Sequence, residues 1–195
     1  MRIKSSIKVS YIHCELLNIQ WKRHGFGVLL TRSEETYLRW IKGSENGRAT
    51  GIYWMAQGMI DLLGEEEGKK LYIKQVHKMG EHWANQQLRF YESIGKENSL
   101  ENYIADSMGE DIIYSFAWKG GLRHSSEHEA IIEWTECPIA AGFKDNGPKG
   151  EELGEIFCNH VDNATIQKYN PKYECIRESS LNKDGLCRLR FKLKD

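Results

Sequence analysis

Three of the chain's five cysteines, Cys158, Cys175 and Cys187, fall in about its last forty residues, and Cys137 precedes them at a Cys-Pro step. His160 and Asp162 share the segment around Cys158. Thiols, an imidazole and a carboxylate are the side chains of nucleophilic catalysis and of metal sites, and buried cysteine is also a small apolar packing residue. Spacing narrows the choice. Cys158 and Asp162 stand at i and i+4, so on a helix they share a side, while His160 faces away from both. A Cys-His contact on that helix is therefore disfavoured. Either Cys158 is a nucleophile or ligand beside a carboxylate, or it is core and Asp162 an exposed helix charge; spacing alone favours the second. Cys137 sits where a strand gives way to a helix, and there free backbone N–H groups can stabilise a thiolate and bind an anion. It is the best-placed thiolate on physical grounds, with packing at a tight corner as an equal alternative.

Around these residues the hydrophobic pattern changes period. "TGIYWMAQGMIDLLG" puts Ile52, Met55, Met59, Leu62 and Leu63 on one helical face, with Thr50 as a cap and Gly64 as a stop. Tyr72, Val76, Met79, Trp83 and Phe90 mark a long amphipathic helix over roughly 65–93, opened by three glutamates as the helix dipole favours. A third helix is predicted from Leu100 to about Phe116, ending at "KGG". "EAIIEWTEC" then reads as a strand that turns at Cys137-Pro138 into a helix start. "KGEELGEIFCNHVDNATIQKY" is a further amphipathic helix with Leu153, Ile156, Phe157, Val161 and Ala164 inward. Asp184-Gly185 signals a hairpin whose last strand alternates Cys187, Leu189, Phe191 and Leu193 against Arg188, Arg190 and Lys192. With a two-residue turn there, Cys187 would face Asn182. Helices first and an antiparallel sheet later imply an α+β fold: an N-terminal helical half packed on a small sheet that ends in a C-terminal β-hairpin.

At 195 residues, with 40% apolar and 28% charged residues, the chain can bury a proper core. The run "KGSENGRATG", residues 42–51, separates a weakly patterned start from the strong helical pattern. The expected division is a basic extension over 1–48, with a possible core role through Trp21, Leu29, Leu30 and Trp40, and one α+β domain over 49–195. A net charge of −1 gives no overall attraction to nucleic acid, and no segment reaches the ~20 apolar residues of a membrane helix. The expectations are no nucleic acid, no membrane and a cytoplasmic, reduced-thiol setting, since no C-x-x-C pair or secretory leader is read. His124 and His128 have chelate spacing but lie in the polar run "RHSSEHE", so no metal is expected. No Walker, dinucleotide or serine-elbow motif occurs, and no cofactor is expected.

The runs "EWTECPIAAGFKDNG" and "LGEIFCNHVDNATIQKYNPKYECIRESSLNKDGLCRLRF" resemble the L-2-amino-thiazoline-4-carboxylic acid hydrolase family. The resemblance is carried by Cys137, Cys158, Asp162, Tyr169-Asn170-Pro171, Gly185 and Cys187, over roughly 130–193. It implies opening of a cyclic amidine by C–N hydrolysis in a small carboxylate-bearing substrate, giving a carbamoylated cysteine. Cys137 or Cys158 would attack the ring carbon, with Asp162 as acid/base or water-orienting group. Arg177 would hold the substrate carboxylate, with Cys187 and Trp134 as further substrate-binding candidates. The alternative is a non-catalytic small-molecule-binding domain of the vinyl-reductase-associated type, because a shared fold does not fix function.

Overall fold

The computed structural model describes residues 34–107 and 118–194. Residues Ile41–Asp195 form one compact unit, and of the other, Met1–Trp40, residues 34–40 are described and helical. The elements are α1 Glu34–Leu63, α2 Glu65–Ile94, α3 Leu100–Ser107, β1 Lys119–Ser125, β2 Glu129–Glu136, α4 Pro138–Lys144, α5 Gly147–Tyr169, β3 Tyr173–Ser179, the single turn α6 Leu181–Asp184, and β4 Cys187–Leu193. The fold is α+β, with its helical half first and an antiparallel four-stranded sheet ordered β1-β2-β4-β3.

Helix α1 runs unbroken through residues 42–51, where composition predicts a separation, and Thr50 lies inside it rather than capping it. Burial of Ala49, Ile52, Tyr53, Ala56 and Ile60 outweighs the weak helix propensity of its glycines. The buried stripe is rotated from the predicted one: Met55, Leu62 and Leu63 are exposed. Gly64 does end the helix, at φ 83°. In α2 the inward residues are Tyr72, Val76, Ala84 and Tyr91, and Phe90 points out. Gly80 lets α2 approach α5 closely, because a Cβ there would come within 2.7 Å of the Val161 carbonyl oxygen. The third helix is described to Ser107; its predicted remainder lies outside the described residues.

Two apolar clusters result. One joins α1, α2, α4 and α5 through Ile52, Val76, Phe143, Leu153 and Phe157. The other packs α3 and the end of α5 on the sheet through Tyr103, Ile166, Tyr169, Ile132, Leu189 and Phe191. The sheet's outer face is ionic, with Arg188 on Glu133 at 2.6 Å and Lys192 near Glu174 at 3.4 Å. This is the alternation predicted for β4.

Strand β1 has no counterpart in the sequence reading. "KGGLRHS" is polar and almost wholly exposed, so it lacks the apolar alternation that identifies a strand. Gly120 sits at φ 142°, where a Cβ would collide with the Glu133 carbonyl oxygen, so the strand passes β2 only as glycine. The final hairpin also differs from expectation. α6 sits between β3 and β4, Gly185 is left-handed at φ 69°, and the register pairs Ser179 with Arg188. Cys187 therefore lies opposite Trp134 of β2, not Asn182.

Candidate active site

The inward face of the sheet is built by register. Trp134 and Cys187 are neighbours across β2 and β4, Arg177 faces Leu189, and Cys175 faces Phe191. Helix α5 lies over β3, and the Asn163 side-chain oxygen accepts from the Cys175 N–H at 3.0 Å. The i, i+4 spacing turns Cys158 and Asp162 to this side. Both interact electrostatically with Arg177, and Cys158 also does so with Cys137 and Cys187. Asp162 is thus not the exposed helix charge that spacing alone favours. His160 faces the other way, with Nδ1 3.2 Å from Nε2 of His77 on α2.

Asp162 decides what this recess can do. Desolvation raises its pKa to about 6, and the Arg177 charge only partly offsets that. Its side chain is nevertheless only half-buried by surface area. Packed side chains surround the carboxyl while part of the residue keeps contact with solvent. Among the described residues its carboxyl has no hydrogen-bond partner.

The four described cysteines are free thiols, and burial raises the pKa of each. They differ in what opposes that rise. Cys158 and Cys175 are pushed well up, opposed by the Arg177 charge. Cys187, pushed up to about 11, has the Arg177 guanidinium as its counterweight. Cys137 has the most set against that rise: the backbone N–H groups of Ala140 and Ile139, at the start of α4, and the Trp118 side chain all lower its pKa, although no hydrogen bond to its sulfur caps the helix. The Asp162 charge acts on the same thiol, raising its pKa. Cys137 also lines an open groove of about 550 Å³, beside Thr135, Glu136, Pro138, Asn182 and Lys144.

Arg177 is almost fully enclosed, its side chain 7% exposed. Its Nη1 and Nη2 donate to Glu155 of α5 at 3.2 and 3.4 Å, and Nη1 also to Asn159 at 3.3 Å. Ser180 Oγ donates to the same Glu155 at 2.5 Å. Glu155 and Tyr103 escaped the sequence reading. Glu155 reads as one more helix charge. Tyr103 reads as core but interacts with Asp162 and Cys175. Among the described residues no group of three or more His, Cys, Asp or Glu could hold a metal ion.

The family description L-2-amino-thiazoline-4-carboxylic acid hydrolase matches residues 46–191. The chain belongs to this family. Membership supports a hydrolase-type function at the family level. Comparison with curated proteins returns no match. Among solved structures, one similar chain is a trafficking protein particle complex subunit 3 from Naegleria fowleri covalently bound to palmitic acid. It is 13% identical, with a TM-score of 0.49, covering 79% of this chain and 97% of that one. No helix among the described residues is long and apolar enough to cross a membrane.

Proposed function

We propose that this member of the family opens a cyclic amidine of the 2-amino-thiazoline type by C–N hydrolysis, with Cys137 as nucleophile and Asp162 as proton carrier. The observation that carries the choice of Cys137 is its place on an open groove at the start of α4, where nearby N–H groups and the Trp118 side chain oppose the rise of its pKa. Cys158 is not among the residues lining that groove, and its role in this reading is to wall the recess with Cys175. Trp134 and Cys187 form the surface against which the ring rests.

Above about pH 6 Asp162 is a carboxylate and can accept the Cys137 proton as the sulfur adds to the ring carbon between nitrogen and sulfur. The same carboxyl then donates that proton to the ring nitrogen as the C–N bond breaks. This leaves a thioimidate between Cys137 and the opened substrate. Water adds to that carbon, giving a proton back to Asp162. Expulsion of the Cys137 sulfur, which takes that proton from Asp162, then leaves an S-carbamoylated cysteine and the starting thiol and carboxylate, and the net change is one water consumed. Arg177, held through its Nη atoms by Glu155 and Asn159, acts in this scheme as a fixed positive charge that keeps the Asp162 pKa from rising further.

The test is direct. Incubation of the full chain with 2-amino-thiazoline-4-carboxylate, followed by mass spectrometry of the product, is expected to give a carbamoylated cysteine one water heavier than the substrate. Substrate recovered unchanged, bound or free, would overturn the hydrolase reading and favour a binding module.

A further inference from the structure

We propose that Lys144 and Asn182 are the specificity-determining pair of the Cys137 groove, taking the carboxylate of a substrate whose ring lies at the thiol. This rests on the hydrolase reading and deepens it by naming what recognises the substrate's charge.

The groove that Cys137 lines carries two lysines, Lys42 and Lys144, and one carboxylate, Glu136. Glu136 is already occupied. Lys119 and Lys42 both pair with it, the latter at 3.5 Å, and the two together hold its carboxyl below the usual range. Thr135 is also committed, through its hydroxyl to the Lys119 carbonyl oxygen, and the Asn46 amide to Asp145. Among the described residues the side chains of Lys144 and Asn182 have no hydrogen-bond or ion-pair partner. What remains on offer is one uncommitted ammonium and one uncommitted amide, in a groove of net positive charge that ends at a thiol. That set matches a small anion carried next to the reacting carbon. Arg177 offers far less, because Glu155 occupies both of its Nη atoms and it is not among the residues lining the groove.

Chain position supports the assignment. Lys144 is in the last turn of α4 and Cys137 is the residue that precedes its first turn, so one short helix sets the thiol and the ammonium relative to each other. Asn182 is on the single-turn insertion α6 between β3 and β4, brought to the groove by the element that replaces the expected two-residue turn.

The test needs no knowledge of the substrate. Cys137 is alkylated with iodoacetate and with iodoacetamide, which differ in the carboxylate, and the rates are read at Cys137 by peptide mass spectrometry. The ratio of the anionic to the neutral rate is expected to fall about fivefold in Lys144→Gln. It should recover in Lys144→Arg, fall less in Asn182→Ala, and lose its dependence on Lys144 at 1 M salt, where the Debye length shrinks to about 3 Å. A ratio unchanged in Lys144→Gln and in the double variant would overturn the proposal. The rate with the neutral reagent and the turnover of the thiazoline report separately on the hydrolase reading. Lost turnover with an intact Lys144-dependent ratio would sink that reading alone, and no alkylation of Cys137 by either reagent would sink both.

Discussion

Helix α5 carries two ion-pair systems one turn apart, and they have little in common. Near its start Glu152 faces Lys69 and Lys149, and Lys149 also reaches Glu65 at 2.5 Å. These groups lie at the surface, where water screens each pair and the net gain is small. Three residues on, Glu155 meets Arg177 with side chains 16% and 7% exposed, beside the recess of Cys158, Asp162 and Cys187. Water cannot replace a lost partner there. The first system fastens α2 to α5; the second fixes the charge that the Asp162 carboxyl feels. The difference is that solvent access, more than pairing chemistry, sets what an ion pair is worth.

Three substitutions, read in four measurements, sharpen that contrast, from the largest expected effect to the smallest. Asp162→Asn, which removes the proton carrier, should lower kcat/KM by about 10²–10⁴-fold on the thiazoline substrate, as steady-state kinetics would show. Glu155→Ala strands a buried guanidinium and should cost about 3 kcal/mol of unfolding free energy in a denaturant melt. Asp162→Asn should also stabilise the protein, but only at higher pH. The folded-state pKa of Asp162 lies above its ordinary value, so the folded state holds the proton more tightly between about pH 4 and 6. Wild-type stability therefore falls as pH rises through that window and stays lower above it, by on the order of 2–3 kcal/mol. The variant's advantage should be present at pH 8 and absent at pH 3.5; melts at the two pH values would check it. Lys149→Ala should cost less than about 1 kcal/mol, and less again in high salt. An equal cost for Glu155→Ala and Lys149→Ala would erase the contrast between the two systems.

Much of this arrangement was legible in the residues. The strand–Cys-Pro–helix junction, the shared side of Cys158 and Asp162, the averted His160 and the inward alternation of β4 follow from period and spacing, and all appear in the fold. Three features were not legible, each for a physical reason. β1 is an exposed edge strand and carries no apolar signal. The stripe on α1 is set by which neighbours it meets, so Tyr53 and Ala56 go in while Met55 stays out. The burial of Asp162 depends on β3 packing over α5, and i, i+4 spacing says which residues share a side without saying whether that side meets water.

The most direct measurement is turnover of 2-amino-thiazoline-4-carboxylate by Cys137→Ala and Cys158→Ala, side by side at pH 7.5. The expected result is a loss of at least about 10³-fold for Cys137→Ala and retention of most activity for Cys158→Ala, since only the first removes the attacking sulfur. Full activity in Cys137→Ala, or a loss confined to Cys158→Ala, would contradict the assignment of the groove thiol as nucleophile.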